Sequence, residues 1–262
     1  MAGAAAIACG ALLGCGTEDT SGGEEEAAAA EPAAAGEPAA TEAPEPAEAG
    51  LADRRLSLNV PQDAYPVVWV RQGAEVEIHT KPGGGGTVAK RVGRRTEFGS
   101  PSVFGVVRRS GDWAAVMTPY LPNGELGWVH LDTRKLDSGW TDRSIVVDLS
   151  ERRAELRTAG RVQMSFVVTV GMPGAETPTG RFGVTDTFRG KLNPAYGCCA
   201  VALSARQPHL PSGWLGGNRI AIHGTSGPLG VAASHGCVRA ADPEVNALVN
   251  KVPLGTPVFI RA

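Results

Sequence analysis

Arg219-Ile220-Ala221-Ile222-His223-Gly224-Thr225, followed after a short loop by Ser234-His235-Gly236-Cys237-Val238-Arg239, is the stretch that decides how this 262-residue chain is read. The first segment alternates: Ile220 and Ile222 fall on one face and His223 on the other, as in a half-buried strand. If the second segment is extended, His235, Cys237 and Arg239 project to one side. A thiol attacks as its thiolate, and a free Cys is mostly protonated at neutral pH. A catalytic Cys therefore needs a nearby base or cation. Two imidazoles and a guanidinium within 17 residues supply both. His223 arrives on its own strand and is the candidate base for Cys237. His235, separated from Cys237 by one residue, need not meet the sulfur. Gly236 adds no bulk beside the thiol, and backbone N–H groups around Gly236 and Cys237 are candidates to hold an oxyanion.

The sequence on either side predicts a mostly β domain with one good helix. After Arg239, Asp242 can cap a helix, Pro243 suits its first position, and Glu244 favours its positive end. Val245, Leu248, Val249 and Val252 then form a core-facing stripe. Pro253 stops it, and Pro257-Val258-Phe259-Ile260 reads as a last strand. Upstream, Ser144–Leu149, Arg161–Val170 and Ala200–Ser204 read as strands, with a Gly/Pro/Cys-containing loop through Tyr196-Gly197-Cys198-Cys199. The adjacent Cys198 and Cys199 read as structural thiols, with oxidation of one left open. No standard metal spacing links His223, His235, Cys237 and Cys198, so no metal is expected.

Residues 51–140 carry a different pattern of short apolar runs separated by Gly/Asn/Asp turns. Examples are Val67-Val68-Trp69-Val70, Val103-Phe104-Gly105-Val106-Val107, Trp113-Ala114-Ala115-Val116 and Gly127-Trp128-Val129. This predicts a small barrel or sandwich. Gly83–Gly86 lacks the Gly-Lys-Ser/Thr of a phosphate loop and reads as a hairpin tip. Trp113 and Trp128 read as core residues, a glycan contact being the alternative. His79, His130 and His209 read as surface or packing residues.

The formal net charge of −2 conceals an uneven chain: residues 17–50 hold ten acidic residues and no Lys or Arg. Removing those ten leaves 17 acidic against 25 basic residues over 51–262, a formal net of +8. Residues 17–50 hold 12 Ala, 9 Glu and 4 Pro and little that could build a core, so a disordered tether is expected. Residues 1–14 are uncharged and apolar, too short to span a bilayer and about the size of a signal-peptide core. Leu12-Leu13-Gly14-Cys15 resembles a bacterial lipobox, with Cys15 as the lipidated residue. The expected organisation is a signal over 1–14, a lipid-attached linker over 15–50, a β module over 51–140 and a catalytic domain over 141–262. The excess of basic side chains is not interleaved with aromatics in a nucleic-acid pattern, and no nucleic-acid partner is expected.

The His-Gly pair at 223–224 followed by Ser234-His235-Gly236-Cys237-Val238-Arg239 strongly resembles the catalytic domain of the YkuD-type L,D-transpeptidase family. Thr177-Pro178-Thr179-Gly180-Arg181-Phe182 and Asn218–Gly224 resemble other recurrent stretches of that family. The resemblance covers about residues 143–261. Residues 65–135 resemble bacterial SH3-like modules. The fold implied is a small SH3-like β-barrel followed by an L,D-transpeptidase β-sandwich with one short helix. The activity implied is attack by Cys237 on the amide before the terminal D-alanine of a peptidoglycan tetrapeptide stem, with His223 as base. The thioester then passes to the amine of an acceptor stem, giving a 3→3 cross-link. Ser234, His235 and Gly236 are implied to shape the site and oxyanion hole, and Arg239 to hold a substrate carboxylate. Tyr196 is implied to belong to a covering loop. Carbapenem acylation of the Cys, a cell-envelope location, a membrane lipid anchor, a monomer and no cofactor are also expected. Hydrolysis of the same stems by an L,D-carboxypeptidase, or wall binding without catalysis, are the alternatives.

Overall fold

Alternating apolar positions put one face of nearly every strand into one of two hydrophobic cores. The structure, a computed structural model, describes residue 56 and residues 58–190, 192–210, 212 and 217–262. The expected signal, Cys15 and the acidic linker lie outside the described residues.

Seven strands form the first sheet: β1 Tyr65–Val70, β2 Val76–His79, β3 Val88–Val92, β4 Val103–Ser110, β5 Trp113–Val116, β6 Gly127–His130 and β7 Leu136–Thr141, in the order β3-β2-β6-β5-β4-β1-β7. Its turns are those the sequence marks. Gly111-Asp112 joins β4 to β5, with Ser110 registered opposite Trp113, and the Gly83–Gly86 run lies at the tip between antiparallel β2 and β3. Val68, Ile78, Val116, Val129 and Leu136 are fully buried in the core beneath this sheet.

The remaining strands are β8 Arg143–Asp148, β9 Arg153–Thr158, β10 Arg161–Val167, β11 Val170–Gly171, β12 Gly180–Arg189, β13 Cys199–Arg206, β14 Arg219–Gly224, β15 Ala232–Ser234, β16 Val238–Ala240 and β17 Pro257–Arg261, with helix α1 at Asp242–Lys251. Eight of them form a second sheet in the order β10-β9-β8-β17-β12-β13-β14-β16. Strand β12 is its corner. Gly180–Gly183 pairs with β17, and after a register shift between Val184 and Asp186 the strand pairs with β13. Such a shift bends a strand and increases its twist, so the two halves fold over one core. Ile145, Val147, Leu156, Val184, Leu203, Ile222 and Val258 fill it.

Helix α1 packs on β13 and β14 through Val245, Leu248 and Val249, three members of the expected stripe. The cap differs from expectation. Ala241 occupies the N-cap position with no side-chain cap bond, and Asp242 is the first helical residue. The Asp242 carboxylate instead accepts the backbone N–H of Cys198 at 3.1 Å. A long-range partner has won over a local cap, and Pro243, which has no N–H to satisfy, lowers the cost.

The sheets meet through close backbone contact and polar side chains. A Cβ on Gly105 of β4 would stand 2.5 Å from the Gly255 carbonyl oxygen, so only glycine permits this approach. Thr96 donates to the fully buried Asp186. Asn123 bonds the backbone N–H and C=O of Arg206. Arg219 reaches Glu97 with one guanidinium nitrogen and the Leu203 carbonyl with another.

Candidate active site

Strand β14 lies between antiparallel β13 and parallel β16, with His223 registered opposite Ala200 on one side and Arg239 on the other. Cys237 immediately precedes β16, in the loop that begins at Ser234. Burial alternates along this loop: Ser234, Gly236 and Val238 are buried, while His235, Cys237 and Arg239 are partly exposed. The one-sided projection expected from the sequence is therefore present, although Gly236 adopts φ +107° and the backbone is not a regular strand. His223, His235, Cys237, Arg239 and Tyr196 all line one cavity of about 410 Å³.

His223 is buried, and its Nδ1 lies 2.8 Å from the Gly224 carbonyl oxygen. A carbonyl can only accept, so Nδ1 carries the proton and Nε2 is left with the lone pair. The Tyr196 ring packs against the imidazole with centroids 4.7 Å apart. Tyr196 belongs to a short 3-10 turn, Pro194–Tyr196, whose start is held by the Asn193 side chain. Burial pushes the Tyr196 hydroxyl above its ordinary value, so it stays neutral and can donate.

Burial sets the charge state of the central pair. It lowers the His223 imidazole below its ordinary value, against the raising influence of the Gly224 hydrogen bond. It raises the Cys237 thiol, against a backbone hydrogen bond from Ala221 and the positive charge of Arg239. At neutral pH the site therefore holds a thiol and a neutral imidazole. Proton transfer must accompany attack.

A pH experiment tests this. Alkylation of Cys237 by iodoacetamide should climb with pH through and beyond the ordinary thiol range, without a plateau at neutral or acid pH. A plateau extending to acid pH would reveal a standing thiolate and overturn the neutral pair. The Arg239 charge lowers both groups, so Arg239→Met should move the alkylation midpoint and the acid limb of turnover to higher pH.

Two residues expected to act in the site play other parts. Ser234 is fully buried and does not line the cavity. Its hydroxyl donates to the Cys237 carbonyl at 2.5 Å and accepts the Gly236 N–H at 3.1 Å. The Gly236 amide, expected to serve an oxyanion, is thus committed to Ser234. The Cys237 amide is the other donor named from the sequence. Arg239 does line the cavity, and its Nε is buried without a hydrogen-bond partner. Cys198 and Cys199, read from the sequence as structural thiols, are joined to each other by a disulfide next to the Tyr196 turn. Among the described residues no group of three His, Cys, Asp or Glu side chains is placed to hold a metal ion.

Gln207 is the residue that sequence reasoning missed. It is buried beneath the 234–237 loop, where it bonds two segments distant in sequence and one residue of its own segment. Its Nε2 donates to the carbonyls of Glu176 and His235, each at 3.1 Å, and its Oε1 accepts from the His209 N–H at 3.1 Å. Thr177 holds the same loop from another side, donating to the Gly236 carbonyl at 2.9 Å. Only Thr177 had a signal, as part of a recurrent family stretch. Gln207 follows an apolar strand, and nothing nearby in sequence marks it.

Comparison with known proteins bears on this domain. Residues 142–260 match the YkuD family model, the L,D-transpeptidase catalytic domain. The matched stretch holds the second sheet, His223 and Cys237, and is less than half of the chain. Particular relatives are similar over the same part. YkuD of Bacillus subtilis (strain 168), an L,D-transpeptidase by name, is 32% identical over 119 residues, covering 45% of this chain and 65% of the relative. YbiS of Escherichia coli (strain K12), also an L,D-transpeptidase by name, is 30% identical over 131 residues, covering 44% of this chain and 43% of the relative. The chain thus spans less than two thirds of either relative's length. Among solved structures, an L,D-transpeptidase from Xylanimonas cellulosilytica DSM 15894 shares 25% identity over 45% of this chain and 60% of its own, with a TM-score of 0.35.

Proposed function

We propose that this chain is a peptidoglycan L,D-transpeptidase that works through a Cys237 thioester. The observation that carries the reading is the pairing of a buried, neutral His223, its tautomer set by the Gly224 carbonyl, with the thiol of Cys237 in one cavity.

The chemistry follows from that pair. Cys237 Sγ attacks the carbonyl carbon of the amide before the terminal D-alanine, and its proton passes to His223 Nε2. The carbonyl oxygen takes up negative charge, with the Cys237 N–H the candidate donor. The C–N bond breaks, the departing amine takes the proton from His223, and a thioester remains on Cys237. The side-chain amine of an acceptor stem then attacks the thioester. His223 accepts its proton, the C–S bond breaks, the thiol is restored and a 3→3 cross-link is made. Arg239 lines the cavity, and its planar, permanently charged guanidinium suits a substrate carboxylate. Carbapenems would acylate the same sulfur.

The wider organisation is proposed in the same terms. Residues 51–140 act as an SH3-like module beside the catalytic domain of 141–262. A lipidated Cys15 and the acidic segment tether both, as a monomer, at the outer face of the membrane.

The test incubates the protein with a disaccharide-tetrapeptide and follows products by mass spectrometry. A cross-linked dimer that has lost one D-alanine is the expected product. Tripeptide alone would make the enzyme an L,D-carboxypeptidase. Neither product, together with no carbapenem adduct on Cys237, would overturn the catalytic reading.

A further inference from the structure

A second cavity lies on the first sheet, on the face turned away from its core. Strands β2, β5 and β6 are interior strands of that sheet. Val76, Ile78, Ala114, Val116 and Val129 are its core-facing members. Glu77, His79, Trp113 and His130 alternate with them and fall on the opposite face. Trp113 is registered directly across from His130. The three rings pack edge to face, His79 at 5.0 Å and His130 at 5.3 Å from Trp113 between centroids. Together with Glu77, Asp132 and Lys135 they wall a cleft of about 280 Å³.

The chemistry of this wall selects its ligand. Both carboxylates are already held by arginines. Glu77 receives Arg91 Nε at 3.0 Å, and Asp132 is gripped by two nitrogens of Arg134, each at 3.0 Å. Neither is an open charge for a cation. His79 points Nε2 to Glu77 at 3.2 Å, while its Nδ1 is buried without a partner. Because β2, β5 and β6 are interior, no open strand edge is offered to an extended peptide. An aromatic wall whose rim carries two paired carboxylates and a lysine matches a ligand with one apolar face and a rim of hydroxyls.

We propose that this cleft is a sugar-binding subsite that takes a neutral pyranose ring against Trp113, with ring hydroxyls on the polar groups of its rim, Glu77, Asp132 and Lys135. The identity of the polymer, the N-acetylated glycan of peptidoglycan, rests on the function proposed above; the sugar chemistry rests on the cleft alone. The subsite would hold glycan on the first sheet while stem peptides react at Cys237.

The probe is a soluble β-1,4-linked N-acetylglucosamine tetramer, titrated at millimolar concentration into the full chain and followed by calorimetry and tryptophan fluorescence. Saturable binding is expected. Trp113→Ala should weaken it about tenfold, the equivalent of roughly 1.4 kcal/mol. Trp113 also supports its neighbours, so His130→Ala and Lys135→Ala are measured beside it, with thermal midpoints as the folding control. A loss of affinity in a variant with an unchanged midpoint supports the subsite. Absence of saturation in the wild type, equal affinity in every folded variant, or saturation by a free stem peptide instead of the sugar each overturns it. Acylation of Cys237 by a tetrapeptide donor is followed in the same samples. Sugar binding without acylation would sink the catalytic reading and leave the subsite standing; acylation without sugar binding would do the reverse.

Discussion

A chain with Cys237→Ala should form no thioester, take up no carbapenem and make no cross-link, while unfolding near the wild-type temperature. In the proposed mechanism the sulfur alone forms the covalent bond; neighbouring donors can only stabilise what it begins. Removal of a nucleophile that works as a unit with its base costs several orders of magnitude, about 10⁶ in the best-studied serine protease. The structural cost is small by comparison. Cys237 is only partly buried, and the loop around it is held by backbone partners that the substitution leaves in place: Ser234 on the Cys237 carbonyl and Thr177 on that of Gly236. His223→Ala should lower turnover by about 10²–10⁴, the usual worth of a positioned general base. It also removes a buried ring from Tyr196 and leaves the Gly224 carbonyl without its donor, so a modest loss of stability of roughly 1 kcal/mol accompanies it. Alkylation of Cys237 separates the two effects. Burial, not His223, sets the thiol high, so His223→Ala should alkylate at alkaline pH much as wild type does while turning over substrate far more slowly. Wild-type turnover in the folded His223→Ala variant would remove His223 from the role of base.

Much of the site is legible because its parts are local. The alternation of Arg219–His223 announces β14, and the two-residue spacing of His235, Cys237 and Arg239 places three side chains on the cavity even though Gly236 departs from a strand conformation. The apolar spacing of Val245, Leu248 and Val249 likewise shows the buried face of α1. What is not legible depends on how the chain is folded around a residue, whether its partners are distant in sequence or within its own loop. Asp242 looks like a helix cap until Cys198 is brought beside it by the fold. Ser234 looks like a cavity residue until its hydroxyl is seen bridging its own loop. Gln207 becomes meaningful only once the segments at 176 and 235 converge on it. The register shift in β12 has no residue signal beyond ordinary strand composition, yet it turns the chain so that one sheet can enclose one core.

Gly236→Ala should slow acylation of Cys237 by about 10²-fold or more, while leaving the bulk of the fold in place. Two independent penalties act on the one new methyl group. At φ +107° the backbone of Gly236 lies where side-chain-bearing residues are strained by about 1–3 kcal/mol. A Cβ there would also stand 2.1 Å from Gln207 Nε2, which must then move, and 3.0 Å from Ile220 Cδ1, a tight contact. The loop cannot swing freely to relieve this, because the Gly236 N–H is bound to Ser234 and its carbonyl to Thr177. Relief must come either from Gln207, which would give up the His235 carbonyl, or from a shift of the loop that moves Cys237 away from His223. A displacement of about 1 Å at reacting atoms is enough for a loss of this size. Pairing the substitution with Gln207→Ala separates the penalties. The double variant removes the side-chain clash but keeps the backbone strain, so it should recover part of the stability lost by Gly236→Ala and little of the acylation rate. Coupling of this kind is expected for residues in direct contact. Acylation at the wild-type rate in Gly236→Ala would show that the loop yields without moving the sulfur, and would remove Gln207 as a positioning residue.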